Sequence, residues 1–144
     1  MSETFQKKVT SLKKTFSFLT SIEARYSALI EMGRSLLPLS PDLKTPENLV
    51  RGCQSHLYLY TKWIDGKIFF NASSDSLISS GLAALLITVY SEEPPEILLT
   101  HPPIFLEELN IHTSLSLNRS SGLNHIHLRM KQEALKYLIV VQRS

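Results

Sequence analysis

One stretch decides most of what this chain can become. From Gln54 to Trp63, His56, Tyr58, Tyr60 and Lys62 alternate with Leu57, Leu59, Thr61 and Trp63, the period of two that sends successive side chains to opposite faces of a strand. A second β-prone run, Lys67 to Ala72, follows after Asp65-Gly66, a pair that accepts the positive backbone angles of a tight type I′ turn. The two runs therefore form an antiparallel hairpin, whose first strand has one wet or semi-wet face.

Helical periods frame the hairpin on both sides. Val9, Leu12, Phe16 and Leu19 recur at three- and four-residue spacing within a first helix from Gln6 to Leu19. Thr20 and Glu23 have the spacing of a capping box, and Ile22, Tyr26, Leu29, Ile30 and Met32 carry a second helix to a stop between Gly33 and Leu37. Pro38, Pro41 and Pro46 then make an ordered loop, because each proline fixes its own φ and biases its predecessor toward extended backbone. Beyond the hairpin, Ser73, Ser74 and Asp75 offer N-cap side chains to a helix running through Leu77, Ile78, Leu82, Leu85, Leu86 and Val89. Gly81 inside it allows close packing at some cost in helix propensity. Pro94-Pro95 and Pro102-Pro103 open two short helical pieces, Glu96 to Thr100 and Ile104 to Leu109. A polar loop, His112 to Arg119, leads to a last helix that Ser120 or Ser121 can cap, with an apolar face from Leu123 through Val141. The order is helices, a small antiparallel sheet, then helices, an α+β arrangement without internal repeats. The 144 residues suit one domain, 1–144.

With 43% hydrophobic and 19% charged residues the composition is that of a globular protein. Net charge is +2, and apart from Lys7-Lys8 and Lys13-Lys14 the basic residues are scattered, so the pairs read as a solvated helix face and no nucleic-acid partner is expected. The most apolar stretch, Leu82 to Tyr90, is too short to span a bilayer, and Met1 to Gln6 lacks the apolar core of a signal peptide. The expectation is a cytoplasmic protein with no membrane partner, in which the single cysteine, Cys53, stays a thiol unless its chemistry is used.

Cys53 falls at a turn, in Arg51-Gly52-Cys53-Gln54-Ser55, between the proline-rich loop and the hairpin. Gly52 relaxes the backbone and leaves the thiol approachable, whereas a core cysteine more usually sits among aliphatic neighbours. By itself a lone cysteine is also readable as a small core residue. A thiol of pKa about 8.5 is mostly protonated at neutral pH, so a nucleophile needs nearby positive charge or backbone dipoles. Arg51, His56 and Arg119 are candidates, each equally readable as a solvated surface residue. The five histidines, His56, His101, His112, His125 and His127, show no metal-ligand spacing. His125 and His127, two apart, point in different directions on a helix. Iron-sulfur clusters take about four thiolates, but a single thiolate suffices to attack a sulfur atom carried by a partner. A cysteine hydrolase with His56 or His101 as base is an alternative chemistry, for which the sequence has no signature.

Thr45-Pro46-Glu47-Asn48-Leu49-Val50-Arg51-Gly52-Cys53-Gln54-Ser55 resembles the segment around the sulfur-accepting cysteine of the SufE family. Ser73-Ser74-Asp75-Ser76 followed by Gly81-Leu82 resembles the family's serine-aspartate helix start, and Leu115 to Gly122 its Leu-Ser-Pro-Ser-Arg-Ser-Asn-Gly stretch. The likeness runs from about Phe16 to Leu135. It departs at Tyr58, where the family usually has tryptophan, at Leu117 and Asn118, which replace Pro-Ser, and at Ser114, the position of a common histidine. The C-terminal Tyr137 to Ser144 is also longer than usual, and its Leu138 to Val141 either packs back or binds a partner.

The resemblance implies a SufE/NifU-like α+β fold, a small three-stranded antiparallel sheet flanked by helices, with Cys53 in a loop at one end. It implies Cys53 as the persulfide acceptor, Arg119 as a stabiliser of thiolate or persulfide, and Gly52, Gln54, Ser55 and Asp75 as loop support, Asp75 being readable as a simple N-cap instead. It further implies a SufS-like cysteine desulfurase as partner, whose pyridoxal phosphate removes sulfur from L-cysteine, and a SufBCD-like assembly complex downstream. The chain itself then binds no cofactor and no metal. A rival is an adaptor that regulates the desulfurase without carrying sulfur. Monomer and homodimer are both open.

Overall fold

A computed structural model of the chain describes residues 2–52, 56–109, 111 and 117–143, with backbone alone at 2, 117–122 and 141–143. Helices α1 (Ser2–Ser17) and α2 (Ile22–Arg34) come first, then two 3-10 turns, Pro41–Leu43 and Pro46–Asn48. Strands β1 (Leu57–Ile64) and β2 (Lys67–Ser74) follow, and then α3 (Leu77–Tyr90), α4 (Pro95–Thr100), α5 (Phe105–Glu108) and α6 (Leu117–Arg143).

The hairpin forms as the alternation requires. Its antiparallel register runs from Leu57 opposite Ser74 to Ile64 opposite Lys67. Asp65 and Gly66 both have positive φ, 52° and 78°, as a type I′ turn demands. Among the described residues the sheet has these two strands, where the resemblance implies three. Among the described residues each edge carries a single-residue bridge, Leu49 with Tyr58 and Ile68 with Glu93. Ahead of Leu49 a ladder has little to continue with. Pro46 has no N–H to offer, and the carbonyl oxygens of Glu47 and Leu49 are taken by the Arg129 guanidinium.

Helix α3 is the centre of the core, burying Leu82, Ala83, Ala84, Leu85, Leu86 and Val89 between α1, α2, α6 and β2. That explains the most apolar stretch of the sequence. Among the described residues no helix is long and apolar enough to cross a membrane. Helices α2 and α3 meet backbone to backbone: a Cβ on Gly81 would lie 2.4 Å from the Leu29 carbonyl oxygen, and one on Gly33 2.8 Å from the Gly81 nitrogen. Two glycines therefore set this crossing. On the far side, fully buried Glu93 receives the Lys8 ammonium at 2.6 Å and the Thr4 hydroxyl at 2.8 Å, which staples α1 to the β2 edge.

Several helix ends differ from expectation. Ser21, not Thr20, caps α2, its side chain accepting from the Ala24 N–H at 3.0 Å. Ser76 caps α3 by accepting from the Ser79 N–H at 3.2 Å. Ser73 and Ser74 are still paired in β2, so the helix can begin only after Asp75. Helix α6 begins at Leu117, which places Ser120 and Ser121 inside it. Near its other end the Tyr137 hydroxyl lies 3.0 Å from Thr61 Oγ1 and its ring stacks on Trp63 at 5.2 Å. The C-terminal segment thus packs back on β1 through Tyr137, while Ile139 and Val140 stay exposed.

Candidate functional site

The 3-10 turn at Pro46–Asn48 delivers the chain to β1 through a short closed loop. The Val50 N–H donates to the Leu57 carbonyl at 2.8 Å, and Leu49 bridges to Tyr58, so the residues on either side of 51–56 are held together at the sheet edge. Val50 and Leu57 are buried, which keeps that bond away from competing water. Cys53, Gln54 and Ser55, the centre of the loop, lie outside the described residues.

Helix α6 holds the near end of this loop. Arg129 donates Nη1 to the Leu49 carbonyl at 2.9 Å and Nη2 to the Glu47 carbonyl, while its Nε reaches Glu133 at 3.1 Å. This planar fork serves three acceptors in fixed geometry, which an ammonium could not. One turn earlier, His125 covers Gly52. Gly52 has a φ of +91°, and a Cβ there would stand 2.1 Å from His125 Cδ2 and 2.3 Å from Nε2. Only glycine fits both the backbone angle and the space.

Beside this contact a pocket of about 520 Å³ opens between the 46–52 segment and α6. Arg51, Arg129 and Lys136 line it with His125, Glu47 and the apolar Leu49, Val50 and Leu128, and Glu133 pairs with both Arg129 and Lys136, which leaves a net positive charge of one. Such a surface favours anions, and thiolates and persulfides are anions.

The far end of the loop is held differently. The Asp75 N–H donates to the His56 carbonyl at 3.4 Å, and Asp75 Oδ2 lies 3.6 Å from His56 Nδ1, both side chains being largely exposed. Asp75 therefore ties the loop to the start of α3, and the simple N-cap reading is corrected: Ser76 has that role. Arg119 lies in the first turn of α6, its side chain outside the described residues. His101 bonds the Thr100 hydroxyl through Nδ1 at 2.8 Å and packs edge-on against Phe5, while His127 packs against Tyr90 at 5.4 Å. Burial, helped by the charge of Lys131, lowers the His127 pKa to about 4. The histidine against the loop is thus His125, which sequence reasoning passed over, as it did Arg129. The two are four residues apart and share a helix face, but only the fold brings that face to the loop.

A small mixed α+β protein whose cysteine-bearing segment is anchored at both ends at a sheet edge, beside a pocket with Arg51 and Arg129, is the class that these features define. Its fold matches the solution structure of a hypothetical protein from Thermus thermophilus, with a TM-score of 0.76, 22% identity, and coverage of 92% of this chain and 96% of that one. Residues 10–134 match the SufE family, described as an Fe-S metabolism associated domain, and the chain belongs to that family. It is 35% identical over 116 residues to the sulfur acceptor protein CsdE of Escherichia coli K12, with 79% of each chain covered. It is 33% identical over 129 residues to SufE-like protein 1, chloroplastic/mitochondrial, of Arabidopsis thaliana, covering 89% of this chain and 35% of the plant protein. An uncharacterized SufE-like protein of Synechocystis is 30% identical over 118 residues, covering 82% of this chain and 74% of that protein.

Proposed function

We propose that this chain is a sulfur acceptor and carrier, which takes persulfide sulfur from a partner cysteine desulfurase onto Cys53, stimulates that enzyme, and delivers the sulfur for iron-sulfur cluster assembly. The observation that carries this reading is the coincidence of family membership over residues 10–134 with a closed loop whose near end rests on His125 and Arg129.

In the transfer step the Cys53 thiolate attacks the terminal sulfur of the partner's persulfide. A new S–S bond forms at Cys53, the partner's S–S bond breaks, and its electron pair leaves on the partner's cysteine as a thiolate, so no net oxidation occurs. The cations around the loop favour the thiolate and then the anionic persulfide. Arg119, whose backbone lies in the first turn of α6, is the further candidate for stabilising the thiolate or persulfide. Gly52, Gln54, Ser55 and Asp75 support the loop, Gly52 by its backbone angle and Asp75 through His56. The pyridoxal phosphate that releases sulfur from L-cysteine belongs to the desulfurase, and this chain needs no cofactor of its own. A SufBCD-like complex is the downstream acceptor.

Intact-mass spectrometry after incubation with desulfurase and L-cysteine tests the proposal. The wild-type chain gains one or more sulfur atoms in a reductant-sensitive form and Cys53→Ser gains none. A Cys53→Ser variant that still stimulates the desulfurase fully would make the chain a regulatory adaptor instead.

A further inference from the structure

Helix α6 is amphipathic twice over. Leu123, Ile126, Met130 and Ala134 are buried in the core, yet Leu128, Leu135 and Ile139 are 49%, 49% and 43% exposed. The last two follow Leu128 by seven and eleven residues, the spacing of one helix face. Leu128 also lines the pocket beside the loop, so this second apolar row runs out of the pocket and along the helix. Cations flank it. Arg51, Arg129 and Lys136 line the pocket with Glu47, and Glu133 holds both Arg129 and Lys136 at 3.1 Å, so the three cations stand against two carboxylates and the surface keeps a net positive charge of one.

We propose that this face of α6 is a docking site for an acidic, amphipathic segment of the desulfurase, an inference that rests on the function proposed above. The remaining net positive charge, with Arg51 at the Gly52 end, favours an acidic occupant, and the exposed leucine and isoleucine row favours one with apolar side chains to bury. The position selects the desulfurase. Gly52 lines the groove, and its Cα is about 3.8 Å from that of Cys53 by covalent geometry. Two sulfur atoms must come into bonding contact for transfer, so the protein that delivers the sulfur necessarily covers this end of the groove.

Titration of the full-length chain with its purified desulfurase tests this. The dissociation constant should rise tenfold or more in Leu128→Asp/Lys136→Glu, and the wild-type constant should rise with salt. Lys7→Glu, on the exposed face of α1, should stay within twofold of wild type. The exposed single variants Arg51→Glu and Leu135→Ser give the same direction should the double variant melt early. Wild-type affinity in these variants, while the wild-type chain still acquires sulfur on Cys53, overturns the docking site and leaves the carrier function standing. Loss of self-association with unchanged desulfurase affinity also overturns it and assigns the face to a second copy of this chain. Absence of both binding and sulfur uptake in the wild type removes the carrier function, and the docking site with it.

Discussion

Replacing Gly52 by alanine imposes two separable costs. The φ of +91° is outside the range that L residues adopt easily, which costs about 1–2 kcal/mol. The new methyl also meets the imidazole of His125 at 2.1 to 2.7 Å for three ring atoms. Carbon contacts are comfortable at roughly 3.5–4.0 Å, so the ring must withdraw by well over an ångström, an overpacking cost of about 1–3 kcal/mol. Gly52→Ala should therefore lose about 2–5 kcal/mol. His125→Ala alone should lose only about 1 kcal/mol of half-buried packing. The double variant removes the collision and leaves the backbone strain, so it should be more stable than the sum of the single losses predicts, by about 1–3 kcal/mol. Urea unfolding of the four proteins, followed by circular dichroism, measures this coupling. A coupling within about 0.5 kcal/mol of zero, the ordinary scatter of independent sites, would refute the packing of His125 on Gly52.

Gly81→Ala places a methyl 2.4 Å from the Leu29 carbonyl oxygen, and the resulting overpacking outweighs the gain of about 1 kcal/mol in helix propensity. A net loss of about 2 kcal/mol should lower the melting temperature by roughly 4–8 °C, and an unchanged melting temperature would mean that α2 and α3 are not in backbone contact. Arg129→Ala strips the Glu47 and Leu49 carbonyls of their donor and should cost about 1–3 kcal/mol in urea unfolding. Arg129→Lys should recover little of it, and full recovery would show that charge and not the fork matters. For His127 the folded pKa is about 4, below the unfolded value of about 6.5. Between these values the unfolded chain binds the extra proton, so stability falls as pH drops through that window, by about 2 kcal/mol after discounting for the ring's partial exposure. His127→Phe should flatten the fall in a series of melts from pH 7 to pH 4, and an unchanged slope would place the titration elsewhere.

What the sequence disclosed follows the range over which each interaction acts. The hairpin was legible because alternation and the Asp65-Gly66 turn are local, and α3 because its apolar run has a helix-period length. The caps were misplaced by one to three residues: Thr20 and Ser21 are both competent N-caps, and Ser73 and Ser74 are diverted by pairing with Tyr58 and Leu57. Cys53 could be singled out from its neighbours, but its surroundings could not. His125 and Arg129 reach residues 73 and 80 positions away, Gly52 and Leu49. No helical or strand period encodes such a meeting. The glycine at 52 was the one local hint, since it announced a special backbone angle without saying what pressed upon it. The second strand edge illustrates the same limit: nothing in Thr45 to Val50 says that a guanidinium will occupy the carbonyls a third strand would have used.

The closed loop also constrains how sulfur can move. Its ends are fixed by the Val50–Leu57 bond on one side and by the Asp75 bond to the His56 carbonyl on the other. Only residues 53–55 lie between the described Gly52 and His56, and each residue extends the chain by at most about 3.6 Å. The Cα of Cys53 is therefore about 3.8 Å from that of Gly52, which His125 covers. On the function proposed above, a sulfur donor must come to this corner, and a later acceptor must do the same. Both encounters then use one small area of surface, and the cations and exposed apolar row of α6 lie within it. The proposed carrier function therefore predicts that donor and acceptor compete for the chain and do not bind it together, which a pull-down of one in the presence of an excess of the other would check.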